Sequence, residues 1–188
     1  MLLRIIIAAG WLLFASYWWI SAKGVKRNIR RISWRWEIGF RILVFVAVIA
    51  IIRVPGARRF FENATSAAIN TLEGAVGLIV CFVGFGIAVC ARRHLGRNWG
   101  MPMTLKEGHE LVTTGPYRYI RHPIYTGFLL AMLGSALAMS RIWLLPFAAM
   151  LVYSIYSAST EERLMRQQFP SRYDQYRQHT KRFIPFVI

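Results

Sequence analysis

Five apolar runs, separated by segments dense in arginine and lysine, constrain this chain more than anything else in it. They cover residues 2–20, 38–52, 72–91, 124–139 and 142–156 and carry almost no charge. At about 1.5 Å of rise per residue, a run of about 20 residues crosses the hydrocarbon core of a bilayer. A backbone in lipid finds no water to bond, so an isolated span pairs its own N–H and C=O groups as a helix. The chain is therefore expected to be an all-α integral membrane protein with about five transmembrane helices. Composition agrees: 17% of residues are charged, against about a quarter in soluble domains. The net charge of +16 by itself fits a nucleic-acid partner. That class is set aside because the basic residues lie between the apolar runs.

The first run ends in Tyr17-Trp18-Trp19. These residues suit an interfacial aromatic belt and replace the small residues of a signal-peptide cleavage site, so a retained helix is expected. Arg41 sits early in the second run, where its stem can snorkel. The third run is rich in glycine, including Gly84-Phe85-Gly86, read as helix packing. Cys81 and Cys90 lie nine positions apart on that run; this is too far for a disulfide, and they read as small packing residues. In the fourth run Gly127, Ala131 and Ser135 recur at four-residue spacing. Ser140-Arg141 leaves room only for a tight reversal, so 124–160 is expected to be a helical hairpin. The expected organisation is three N-terminal membrane helices in 1–91 and a catalytic part in 92–188. The latter comprises a polar connector, the hairpin and a polar amphipathic tail.

Residues 115–125, between the apolar runs, hold two prolines, two arginines, one histidine and three tyrosines. Gly115-Pro116 breaks regular structure, and Pro123 suits a first helical position, where its missing N–H has no partner in any case. The reading is a short turn delivering His122 to the mouth of the fourth span. Glu161-Glu162 follows the fifth span, where a helix terminus prefers cations. An antiparallel hairpin brings these carboxylates level with His122. One is expected to face the site; solvated glutamates with a Glu162–Arg166 pair are the plainer alternative.

The run Gly108-His109-Glu110-Leu111-Val112, then Gly115-Pro116-Tyr117, Arg121-His122-Pro123-Ile124-Tyr125, the hairpin and Glu161-Glu162 resembles the isoprenylcysteine carboxyl methyltransferase family. The tail Phe169-Pro170-Ser171-Arg172-Tyr173-Asp174-Gln175-Tyr176, with Pro185-Phe186, continues the likeness, which covers roughly residues 92–188. The related phospholipid N-methyltransferases share the plan and the terminal Glu-Glu. The resemblance implies an integral membrane enzyme with a cytoplasmic cap that binds S-adenosylmethionine. By the same resemblance, His109, Glu110, Leu111, Val112, Tyr117, His122, Pro123, Ile124, Tyr125 and Glu161 would contact that cofactor. Eukaryotic prenylcysteine enzymes carry an arginine four residues before this glutamate, implicated in substrate binding; here Ser157 stands there.

Methyl transfer from a sulfonium is an in-line displacement that needs alignment and little water. A carboxylate acceptor requires no general base, and an amine only the loss of its proton. Neither a triad nor a metal set is expected: His94, His109, His122 and His179 lack ligand spacing, and the cysteines lie within the membrane. Arg118 and Arg121 are candidates to neutralise the cofactor carboxylate or the acceptor, with headgroup contact as the alternative; Arg121 is the candidate catalytic residue. The expected partners are a lipophilic small-molecule or lipid-anchored acceptor and membrane lipids. The acceptor would enter sideways through room left by the third run and the Gly127 face, unless those small residues pack helices tightly. The rival classes are a phospholipid N-methyltransferase and a non-enzymatic membrane scaffold.

Charge assigns the sides. Residues 23–35, 92–121 and 161–188 each carry six Lys and Arg, against three in 53–71 and one in the hairpin turn. The positive-inside rule puts the three rich segments, with the site, in the cytoplasm and the N-terminus outside, as for a bacterial or archaeal inner-membrane protein. A reporter fused to the C-terminus is expected to be active only on the cytoplasmic side; activity only on the outer side would overturn this topology.

Overall fold

The computed structural model describes residues 2–23, 25, 28–31, 39, 69–100, 104–106, 108 and 110–185. The expected second span at 38–52, apart from residue 39, lies outside the described residues, as do His109 and Phe186. Five helices account for most of the rest: α1 (Leu2–Ser21), α2 (Thr71–Leu95), α3 (Pro123–Ala138), α4 (Leu144–Gln168) and α5 (Arg172–His179). Three stretches are long and apolar enough to cross a membrane, Leu2–Ser21, Thr71–Asn98 and Arg141–Gln168; Pro123–Ala138 is apolar but shorter. Single 3-10 turns occupy Gly96–Asn98, Gly115–Arg118 and Arg141–Trp143.

The regular structure of the described residues is helical apart from one short element. A short antiparallel ribbon pairs β1 (Asn28–Arg31) with β2 (Thr104–Lys106), with Asn28 opposite Lys106 and Arg31 opposite Thr104. Runs this short leave no period-two signature, and pairing gives two extended segments partners for their backbone groups.

Helix ends follow local chemistry. Asn70 caps α2 by accepting a hydrogen bond from the Glu73 N–H at 2.7 Å. The helix stops at Gly96, whose φ of 51° suits glycine. It thus runs past the expected end of the third span at residue 91. Its last turn carries Arg92, Arg93 and His94, cations that match the negative end of the helix dipole. Pro123 opens α3 with His122 as its N-cap residue, as the sequence suggested. In α4, Pro146 falls in the first turn, where it is tolerated. That helix continues past residue 156 and carries Glu161 and Glu162 within it.

The core is a seam of small residues between α2 and α3. A Cβ on Gly84 would lie 2.6 Å from the Gly127 carbonyl oxygen, and one on Gly127 would lie 2.6 Å from the Ala88 nitrogen. The two backbones touch, as membrane helices do where side chains are minimal. The other side of the seam is filled from α1: Ile7 and Phe14 pack with Cys81, Phe85, Ala88, Ala131 and Ala138. The Trp11 indole stands edge-on to Phe85 at 5.0 Å and donates to Ser135 Oγ at 3.0 Å. Arg92 is buried; it donates to the Ser21 carbonyl at the end of α1 and stacks over Trp99 at 4.4 Å. At the far end Arg141, in the hairpin turn, pairs with Glu73 at 2.8 Å.

This seam closes the lateral gap expected at Gly127, Ala131 and Ser135. Those residues are buried against α2 and α1 rather than lining an opening. Gly127→Leu is therefore expected to destabilise the fold by at least about 1–3 kcal/mol, the usual cost of overpacking. A thermal melt of the detergent-purified variant checks this, and any ligand binding and turnover should fall together.

Candidate active site

The polar ends of α3 and α4 meet at one corner, with the chain after α5 folded against them. Three backbone bonds fix that return. The Arg121 N–H donates to the Lys181 carbonyl at 2.8 Å and the His122 N–H to the Arg182 carbonyl at 3.1 Å. The Lys181 N–H donates to the Tyr119 carbonyl at 3.3 Å, so Ile120 and Lys181 form a parallel bridge. Thr126 Oγ1 adds a bond of 2.8 Å to the Phe183 carbonyl. On the other side, Gly115 starts its turn at φ 58° with its α-carbon against the His94 ring, which docks the turn on the end of α2.

His122 is 8% exposed and sits between the two carboxylates. Its Nδ1 lies 3.6 Å from Glu161 Oε2 and its Nε2 lies 3.4 Å from Glu162 Oε1. Its ring stacks on Tyr125 at 5.6 Å. Glu161 Oε1 accepts from the Tyr125 hydroxyl at 2.6 Å and from Ser157 Oγ at 3.2 Å. The Tyr125 and Ser157 hydroxyls are themselves 2.9 Å apart. Glu161 is half-buried and Glu162 buried, at 27% and 3% exposure. Glu162 takes Arg121 Nε at 3.0 Å on Oε1 and Arg182 Nη2 at 2.9 Å on Oε2.

Tyr117 is buried in the turn, and the Tyr176 hydroxyl of α5 donates to its carbonyl at 2.6 Å. Burial pushes the Tyr117 phenol well above its usual value; the Glu161 carboxylate pushes the same way, and Arg92 opposes it. Tyr117 is therefore a neutral hydroxyl at any physiological pH. Contact with Glu162 raises the Arg182 guanidinium.

The structure thus brings His122, Tyr125 and Glu161 together, with Pro123 buried at the head of α3 and Ile124 half-buried beside it. Leu111 and Val112 are half-buried in the extended segment before the turn. Glu110 is exposed and accepts from Asn98 Nδ2 at 3.5 Å, which ties it to the end of α2. Arg121 is present at the corner but engages Glu162 and the Thr180 carbonyl. Glu162, Ser157 and Arg182 were not singled out as site residues. Nor is the alternative Glu162–Arg166 pair formed: Arg166 lies 3.6 Å from Asp174. Adjacent helix positions point about 100° apart, so Glu161 and Glu162 face different partners. Among the described residues, no group of three or more His, Cys, Asp or Glu gathers as a metal site.

A family model described as phospholipid methyltransferase matches residues 72–172. The chain belongs to this family. Among curated relatives of this phospholipid methyltransferase family member is the nickel-cobalt-cadmium resistance protein NccN of Alcaligenes xylosoxydans xylosoxydans. It is 30% identical over 155 residues, covering 80% of this chain and 65% of the relative. Protein-S-isoprenylcysteine O-methyltransferase A of Arabidopsis thaliana is 31% identical over 115 residues, covering 59% and 58%. Among solved structures, the eukaryotic intramembrane Ras methyltransferase ICMT, an isoprenylcysteine carboxyl methyltransferase, superposes with a TM-score of 0.56 at 21% identity. That match covers 85% of this chain and 55% of the other, and shows a shared fold. The resemblance to isoprenylcysteine carboxyl methyltransferases drawn from the motifs is borne out by these relatives. The chain spans less than two thirds of the length of each of them.

Tyr125→Phe removes one of the donors on Glu161 while keeping the ring. A hydrogen bond to a charged group contributes about 1.5–3 kcal/mol. The variant is expected to melt lower in detergent, whereas Tyr119→Phe, at an exposed ring, should melt as the wild type does.

Proposed function

We propose that this chain is an integral membrane methyltransferase that uses S-adenosylmethionine to methylate a lipophilic acceptor. The observation that carries the reading is the Glu161 corner. A half-buried carboxylate is braced by Tyr125 and Ser157 and flanked by His122, in a chain whose family is one of methyltransferases. The donor set fits a cationic ligand. It offers an oriented anion, neutral hydroxyls and aromatic faces, as the ammonium and sulfonium of such a donor require.

When bound, the donor supplies an electrophilic methyl carbon: the bond from the acceptor heteroatom to that carbon forms as the carbon–sulfur bond breaks, leaving a neutral thioether. The residues of the chain bind and align. Glu161 holds positive charge, with Tyr125 and Ser157 fixing its Oε1 so that little reorganisation is needed. His122 Nδ1 faces Glu161 Oε2 at 3.6 Å and flanks the carboxylate on that side. Burial of Tyr117, His122 and Tyr125 keeps water scarce at the reacting centre. We assign cofactor contact to Tyr117, His122, Pro123, Ile124, Tyr125 and Glu161, and to His109, Glu110, Leu111 and Val112 from the preceding segment. Residues 92–188 form the catalytic part.

Carboxyl methylation of a lipid-anchored cysteine is the first reading of the acceptor, supported by the relatives named for that activity. A phospholipid amine is the second. The family description favours it, and so does Ser157, a neutral hydroxyl where an acceptor-binding cation would otherwise stand. Five spans, a cytoplasmic site and a bacterial or archaeal inner membrane complete the proposal, supported by the basic segments that share the site's end of the chain.

Titration calorimetry with S-adenosylhomocysteine on detergent-purified protein tests the reading. Binding is expected in the wild type. His122→Ala and Glu161→Ala should each weaken it by about 10- to 100-fold, equivalent to one charge-assisted hydrogen bond. Wild-type affinity in both variants would place the donor elsewhere. Labelled-methyl transfer into a lipid extract then separates carboxylate from amine acceptors, because methyl esters are base-labile and methylamines are not.

A further inference from the structure

The second carboxylate has no part in the reaction described above, yet it is the more deeply buried of the pair. Glu162 is held on both oxygens. A carboxylate offers about four lone-pair positions. Arg121 Nε at 3.0 Å, Arg182 Nε at 3.1 Å and His122 Nε2 at 3.4 Å converge on Oε1, and Arg182 Nη2 at 2.9 Å takes Oε2. With Glu162 3% exposed and already paired with two guanidiniums, it is poorly placed to hold a donor cation. Arg182 approaches with both nitrogens, the bidentate fork that gives geometric as well as electrostatic specificity. Two of these donors lie at the start of α3, the third on the returning segment, and Glu162 on α4. One carboxylate therefore ties three parts of the chain together.

The consequence for His122 is direct. Its N–H is bound to the Arg182 carbonyl at 3.1 Å, so the residue that grips Glu162 through its side chain also holds the His122 backbone. Phe183, next in sequence, has its ring 5.8 Å from the imidazole. Charge balance makes the arrangement all-or-none. With Glu162 ionised, two guanidiniums share one anion; without it, they face each other at a half-buried corner with no anion between them, which is unfavourable.

We propose that Glu162 and Arg182 form a latch that docks residues 180–183 on the start of α3 and so orients His122, which makes Glu162 a positioning residue and not a ligand of the methyl donor. The role in turnover rests on the methyltransferase reading; the latch itself does not.

Hydrogen exchange on the full chain in detergent tests it. Glu162→Gln and Arg182→Ala should each speed exchange at the Arg121 and His122 amides by about tenfold or more, and the double variant should add little, as coupled residues do. Trypsin should cut sooner after Arg177 and Lys181. Lys181→Ala, which alters an exposed side chain and keeps the backbone pairing, should exchange as the wild type does and be cut after Arg177 no sooner than it. Both latch variants should weaken S-adenosylhomocysteine binding by a similar factor, with Arg182→Lys recovering part of the loss. Unchanged exchange in both variants overturns the latch. So does loss of ligand binding in Glu162→Gln alone, which would make Glu162 a direct ligand. If the wild type binds no S-adenosylhomocysteine, the methyltransferase reading fails while the exchange and proteolysis results still decide the latch.

Discussion

The approach of α2 to α3 at backbone distance is the constraint on which the other placements depend. Two helices come this close only where neither presents a side chain larger than a methyl or thiol along the seam. Once they do, dispersion along the matched surfaces holds them without help from a hydrophobic driving force, which is weak between apolar helices in lipid. The seam fixes the axial position of α3 relative to α2. It therefore sets where His122, at the head of α3, stands relative to the basic last turn of α2. The exposed Arg141–Glu73 pair at the opposite end adds little energy, as surface ion pairs do. It marks the register in which the hairpin turn meets the start of α2.

Given that seam, the polar corner is a problem of satisfying charge at low dielectric. Adjacent carboxylates repel, and a buried one without partners would take up a proton or move toward water. The helix separates the two by about 100°, and the surroundings treat them differently. Glu162 receives cations; Glu161 receives hydroxyls and one edge of an imidazole. Such networks rigidify when every member is satisfied. Here rigidity at Glu162 supports the half-buried corner at Glu161.

Much of this was legible in the sequence, where the signal is local or periodic. Apolar runs located α1, α2, α3 and α4, Pro123 marked the start of α3, and the two-residue break at Ser140-Arg141 gave the hairpin. The helix ends were less legible. Charges at Arg92–His94 and at Glu161–Glu162 read as loop or tail, whereas the helices carry them on, since their partners come from elsewhere in the fold. The small residues at Gly127 and Ala131 were read both as a possible entrance and as packing, because the same residues serve either use until the facing helix is known. The return of 180–183 left no trace. It is a single parallel bridge between residues some sixty positions apart, with no alternation to betray it. Arg182 looked like one more basic residue in a basic tail, and Ser157 looked like a missing arginine before it proved to be a brace for Glu161.

The pairing of Ile120 with Lys181 also orders events during synthesis. One partner precedes the α3–α4 hairpin and the other follows α5. A nascent chain that has formed the α2–α3 seam and the α3–α4 hairpin still leaves the N–H groups of Arg121 and His122 without their protein acceptors. Insertion and maturation of the corner are thus separate steps. The first is driven by lipid and by the helix seam; the second waits for the chain after α5 to fold back onto the start of α3.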